Sequence, residues 1–230
     1  DYSKALSILE KGTKEFPADY NMLATAINVC IDIHDNSTIE QFLNKALQLK
    51  PHDVTLLSIQ GKVYEETFRF QKAVHIYSQL NDLKPGNLEI TKHLAFSNFN
   101  AGAYFTNQSM TCTEKTLTSR YVAQATDYFK GAIPILKKLI ANEPHSSTYL
   151  EALAIASLQA GDAKNFEYAN SRLASIGHNT VSSSSTPSYV DISGRHSTFS
   201  DNNQSVPSGR NDATMSGAAI PLFQNSQRII

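Results

Sequence analysis

Val54–Asn87 reads VTLLSIQGKVYEETFRFQKAVHIYSQLNDLKPGN, two apolar helical ladders closed by Pro85. In the first half, Leu57, Gly61 and Tyr64 recur at spacings of four and three. In the second half, Ala73, Tyr77 and Leu80 do the same. Such spacings hold side chains on one helical face. Pro85 ends the second ladder because it has no N–H for the next backbone bond, and it pushes the residue before it out of the helical region. Gly61 weakens a helix unless a second helix approaches closely there. The stretch therefore predicts two helices packed against each other.

Working outward, the same unit recurs. Pro17, Pro51 and Pro85 stand 34 residues apart. Eight residues before each lie Leu9, Leu43 and Tyr77; five before lie Gly12, Ala46 and Leu80; twelve before lie Ala5, Ile39 and Ala73. A fixed period of this size means one supersecondary unit repeated, each burying its apolar face against its neighbours. After Pro85 the period breaks and then recovers. Pro144 follows 59 residues later, one repeat plus 25 inserted residues, with Ala132, Leu136 and Leu139 at the expected offsets. A first helix from about Leu88 carries Leu94, Ala95 and Asn98. A further unit begins near Ser147 with Leu150, Leu153 and Ala154, turns at Ala160-Gly161-Asp162, and continues with Phe166, Ala169 and Leu173. Its closing position holds His178 in place of proline.

This pattern resembles the tetratricopeptide repeat, a 34-residue pair of antiparallel helices. Leu57, Gly61, Tyr64, Ala73, Tyr77 and Pro85 carry the resemblance in Val54–Asn87, and Leu23, Leu43, Ala46 and Pro51 carry it in Tyr20–Asp53. In the latter unit Ile27 and Ile39 replace the usual small residues, and Cys30 replaces the aromatic. Ala5, Leu9, Gly12 and Pro17 read as a second helix without its first, and the chain opens on Asp1, so a fragment or processed product is expected. The resemblance covers about residues 2–176. It implies an all-α, right-handed superhelical solenoid of about four and a half helix-turn-helix repeats.

Two stretches fall outside the repeat. The insertion, about 102–126, opens on Tyr104 and Phe105, and its Thr/Ser-rich centre from Ser109 to Ser119 reads as loop. From Arg120 on, Tyr121, Val122, Ala125, Phe129 and Ala132 run at helical spacing, and Pro134 should kink that helix. The insertion is either a partner-specific element or a tolerated surface loop. Residues 177–230 hold 12 serines and no sustained periodicity, too little apolar surface to offset the entropy of ordering, so a disordered tail is expected. Within it, Ile220-Pro221-Leu222-Phe223 is the most apolar candidate for a recognition element, and Tyr189-Val190-Asp191-Ile192 could pair as a short strand.

Composition narrows function. A formal net charge of −1 over 230 residues gives no support for nucleic-acid binding, which calls for a basic surface stripe. No run of about 18 apolar residues is present to span a membrane. Cys30 and Cys112 have no metal-like pairing and read as buried or incidental thiols. The seven histidines form no helical ligand pair, and His34, His52 and His145 fall at turns. There is no glycine-rich phosphate loop and no nucleophile elbow. Glu65 and Glu66 are adjacent and point to different faces, unlike a two-carboxylate site. No catalytic residue, metal or cofactor is assigned. The sequons at Asn36, Asn107 and Asn203 matter only in a secreted eukaryotic protein.

In the family resembled, first helices of successive repeats line a concave groove that binds a peptide or helix of another protein. The residues placed there are Asn21, Ala24 and Asn28, then Thr55, Ser58 and Lys62, then Glu89, Lys92, Phe96 and Phe99. Asn28 and Lys62 suit a peptide backbone or carboxylate, and equally suit solvation of the groove. Phe96 and Phe99 suit an apolar grip, and equally suit packing under the insertion. A chaperone-tail clamp is disfavoured: Asn28 is kept, but Ala24 replaces a clamp lysine, Ile59 the second asparagine, and Glu89 and His93 the final basic pair. The function expected is a noncatalytic protein-interaction scaffold; the alternative is the regulatory or substrate-recruiting arm of a larger enzyme or export assembly.

Overall fold

The computed structural model describes residues 2–190 and the backbone of 196–197. Among these residues the chain forms nine α-helices: α1 (Tyr2–Glu15), α2 (Tyr20–Ile33), α3 (Asn36–Leu49), α4 (Val54–Glu66), α5 (Phe70–Leu83), α6 (Leu88–Thr111), α7 (Lys115–Asn142), α8 (Ser147–Ala160) and α9 (Ala163–Ser175). Two short strands, β1 (Tyr189–Val190) and β2 (His196–Ser197), pair antiparallel with Tyr189 opposite Ser197 and Val190 opposite His196. The described residues form two compact units, one reaching Ile76 and the other beginning at Tyr77, so the boundary lies within α5.

The repeat is written into the turns as well as the helices. Pro17, Pro51, Pro85 and Pro144 are each followed two residues later by the N-cap of the next helix: Asp19, Asp53, Asn87 and Ser146. Each cap side chain accepts a hydrogen bond from the backbone N–H three residues on, which satisfies a donor the helix itself cannot. Asp35 and Asp162 do the same for α3 and α9. Burial works against the Asp35 charge, but the Thr38 and Ser37 donors outweigh it and hold the carboxyl below its ordinary value. Gly161 ends α8 with φ 71, a left-handed turn that lacks a Cβ penalty.

In the first unit, α2, α3 and α4 share one core of Leu23, Ile27, Cys30, Ile31, Ile39, Phe42, Leu43, Ala46, Leu56, Ile59 and Val63. Leu6 and Leu9 of α1 pack on its edge. Burial in this core, helped by the Asp35 and Glu10 charges, pushes the Cys30 thiol up to about 12. The core of the second unit joins α6, α7, α8 and α9, with Phe96, Phe99, Phe129, Leu136, Leu150 and Leu153 at its centre.

The insertion is not a loop. It lengthens two helices, α6 to 24 residues and α7 to 28, and leaves only residues 112–114 between them. The Thr/Ser-rich centre was expected to break the helix because such hydroxyls compete for backbone groups. Here they bond backward along the helix: Ser109 to the Thr106 carbonyl at 2.7 Å, Thr118 to Glu114 at 2.9 Å and Ser119 to Lys115 at 3.1 Å. An aromatic cluster joins the extended arms, with Phe105 at 5.3 Å from Tyr104, 5.9 Å from Tyr121 and 5.8 Å from Tyr128. Val122 departs from its expected apolar face and is exposed. Pro134 lies inside α7.

The tail expected to be disordered from residue 177 on has an ordered first part. Residues 178–190 belong to the second unit, where Tyr189 and Val190 are buried. Composition averages over the segment and misses two anchor positions whose partners lie far away in sequence. Of the stretch Tyr189-Val190-Asp191-Ile192, read as a possible short strand, Tyr189 and Val190 do pair as one. Asp191-Ile192 and Ile220–Phe223 lie outside the described residues.

Candidate functional site

In the first unit, the exposed faces of α2 and α4 carry the residues expected to meet a partner. Asn21 is exposed, and Asn28, Ser58 and Lys62 are half-buried. Ala24, expected in the groove, is buried instead. Elsewhere in this unit, Tyr64, Gln71, Lys72, His75 and Ile76 line an open depression. Glu40 organises its rim. It pairs with Arg69 at 2.7 Å and Lys72 at 4.0 Å, and accepts a hydrogen bond from the Tyr64 hydroxyl at 3.2 Å. Arg69 and Lys72 stand over the Tyr64 ring at 4.7 and 5.3 Å. Burial, then the Glu40 charge, hold the Tyr64 hydroxyl above its ordinary value.

In the second unit, Glu89 and Lys92 meet at 3.3 Å, and Lys92 also reaches Glu143 at 3.7 Å. Burial opposes the Lys92 charge, but these carboxylates outweigh it and hold the ammonium above its ordinary value. Glu89 thus faces its own lysine. Phe96 and Phe99 are different from the expected grip. Both are 0% exposed, Phe99 edge-on to Phe129 at 5.6 Å and Phe96 tilted against Tyr149 at 6.1 Å. Their surface is used up by α7 and α8, which the lengthened helices bring over them. His93 is likewise buried, stacked on Tyr77 at 4.7 Å.

The asparagines that hold an extended backbone lie elsewhere. Asn100 of α6 donates through Nδ2 to the Val190 carbonyl at 2.8 Å and accepts the Val190 N–H on Oδ1 at 3.0 Å. Asn170 of α9 repeats this with Val181, donating at 3.0 Å and accepting at 2.8 Å. Gln159 of α8 donates to the Ser185 carbonyl at 3.3 Å, and His178 Nδ1 lies 3.0 Å from Glu151. The signal for Asn100 was in the sequence: a second asparagine two residues after Asn98 in an apolar helical run. Burying an amide costs free energy unless its bonds are met, so such a residue requires a partner.

Among the described residues, no three His, Cys, Asp or Glu side chains converge to hold a metal ion, and no helix is long and apolar enough to cross a membrane. No family model matches the sequence, and no curated protein matches it. Solved structures do match. A MamA double mutant, MamA RS-1 ArsTM, aligns with a TM-score of 0.50 at 13% identity over 77% of this chain and 85% of its own. MamA MSR-1 C2 aligns at 0.47 with 17% identity, covering 74% and 86%. YrrB, a TPR protein with an unusual peptide-binding site, aligns at 0.35 with 13% identity, covering 73% and 91%. At these identities the likeness is one of fold. With its 34-residue helix-turn-helix period and capped turns, the chain is in fold a tetratricopeptide-like repeat protein.

Proposed function

We propose that the chain is a noncatalytic scaffold that binds a peptide or helix of another protein on the solvent-facing sides of its first helices. In the first unit the contact residues are Asn21, Asn28, Ser58 and Lys62 on α2 and α4; in the second unit, taken by itself, they are Glu89 and Lys92 on α6. What supports this reading most is that α2 and α4 bury one face in the core and leave the side that carries Asn21, Asn28, Ser58 and Lys62 exposed or half-buried. Amide and ammonium groups on a rigid helical surface can pair with a peptide backbone or carboxylate without reorganising. Phe96 and Phe99 have no part in it, being enclosed.

The test is a displayed library of random peptides panned against the full chain, with enriched peptides measured by fluorescence polarisation. Asn28→Ala and Lys62→Ala are expected to weaken binding at least tenfold without lowering the melting temperature. Peptides that bind both variants as tightly as the unaltered chain would overturn the assignment of this surface.

A further inference from the structure

Val190 sits on α6 in the way a strand residue sits on its neighbour. Its N–H and C=O both go to the carboxamide of Asn100, at 3.0 and 2.8 Å, which is the reciprocal pair that two opposed residues exchange in an antiparallel ladder. Asn100, 3% exposed, thus acts as a one-residue strand edge at the surface of α6. The Val190 side chain, 2% exposed, enters the core that α6, α7, α8 and α9 share. Asn170 offers the same amide pair to Val181, which packs half-buried on that core. Between the two anchors Ser182, Ser183 and Ser184 are exposed, and Gln159 touches only a backbone carbonyl.

These contacts have the form of peptide recognition. The hydrogen bonds read backbone, which every extended peptide carries, and specificity is left to apolar residues at the anchor positions. Within residues 181–190 only Tyr189 and Val190 are buried, and Ser182, Ser183, Ser184 and Thr186 are exposed. Segments with few buried apolar contacts open at a lower cost than the core around them.

We propose that the α6–α8–α9 face of the second unit is a peptide-recognition surface, and that residues 181–190 are its intramolecular ligand. Its other occupant is an extended segment of a partner protein that places a β-branched apolar residue where Val190 sits, and that must displace the resident segment to bind. The inference shares with the proposed function only the idea of a scaffold; its surface is separate from Asn28 and Lys62, so either reading can fail alone.

The probe is a fluorescein-labelled synthetic peptide with the sequence of residues 178–197, added to the full chain. Val190→Asp disables the resident ligand, because a carboxylate cannot enter the apolar site. That variant is expected to bind the probe at least tenfold more tightly than the unaltered chain. Adding Asn100→Ala to it should abolish the gain. Equal binding by the unaltered chain and the folded Val190→Asp variant, or no binding by either, overturns the proposal. Hydrogen exchange on the unaltered chain decides independently, should a variant fail to fold. The Val181 and Val190 amides are expected to exchange at least tenfold faster than the slowest amides of α8. If they exchange only with those amides, the segment is an integral part of the unit and the proposal fails. A concentration-dependent dimer that exchanges the segment between copies would assign the surface to self-assembly and overturn the partner reading.

Discussion

The ring of Phe129 on α7 occupies the space that a side chain on Gly102 of α6 would need. A Cβ built on Gly102 would lie 2.8–2.9 Å from three ring carbons, closer than unbonded carbons settle. The long helices α6 and α7 owe their close approach to this missing methyl group, and Phe129 is fully buried as a result.

Gly102→Ala should therefore destabilise the second unit by about 1–3 kcal/mol through overpacking. This reverses the usual sign, since alanine ordinarily stabilises a helix interior over glycine by roughly 0.5–1 kcal/mol. Urea denaturation measures the difference. Gly102→Ala combined with Phe129→Leu should recover part of the loss if the ring is the cause.

Phe99→Ala should cost about 3–5 kcal/mol of stability, the range for emptying a fully buried aromatic site. Lys62→Ala, half-buried on the outer face of α4, should stay within about 0.5 kcal/mol of the unaltered chain. A melt in which the two variants behave alike would contradict the division between core and contact residues.

The Glu66 carboxyl is held above its ordinary value, chiefly by burial, although Asn36 donates to Oε2 at 2.8 Å. Its Oε1 is buried with no partner among the described residues. An acid whose folded pKa is raised takes up its proton in the folded state first as pH falls. Stability contributed by this group therefore falls as pH rises from the ordinary carboxylate value through the raised one, and the deficit is complete above it. Glu66→Gln should raise the melting temperature at pH 7, and the gain should fade at pH values below the ordinary carboxylate range. Asn36, whose amide is engaged here at the start of α3, would have to release Glu66 to accept a glycan.

Asp53→Ala should lower stability by about 1 kcal/mol, because the N–H groups of Thr55 and Leu56 lose their acceptor at the start of α4. Asp53→Asn should restore most of it, since asparagine caps equally well. Thermal melts of the pair check the assignment.

Cys30 is almost fully enclosed and its thiol is pushed up to about 12, so it is protonated near neutral pH. Because the thiolate is the reactive form, a thiol reagent added to the native chain at pH 7.5 should label Cys112 first and reach Cys30 only on unfolding. Mass spectrometry of the labelled peptides reads this directly.

What the sequence determined by itself is the local and periodic part of the protein. The proline period, the apolar ladders and the polar residue two positions after each proline act over a few residues, and they set the helices, their ends and the repeat. Three matters waited for the tertiary structure, each because it depends on neighbours distant in sequence. Whether the threonines and serines near 109–119 form a loop or helix was decided by backward hydroxyl bonds and the Phe105 cluster, not by propensity. Whether Phe96 and Phe99 grip a partner or fill a core was decided by the lengthened α7 and by α8 closing over them. Whether Val181 and Val190 belong to a tail or to a site was decided by Asn170 and Asn100, whose amides gain a partner only once α6 and α9 are folded.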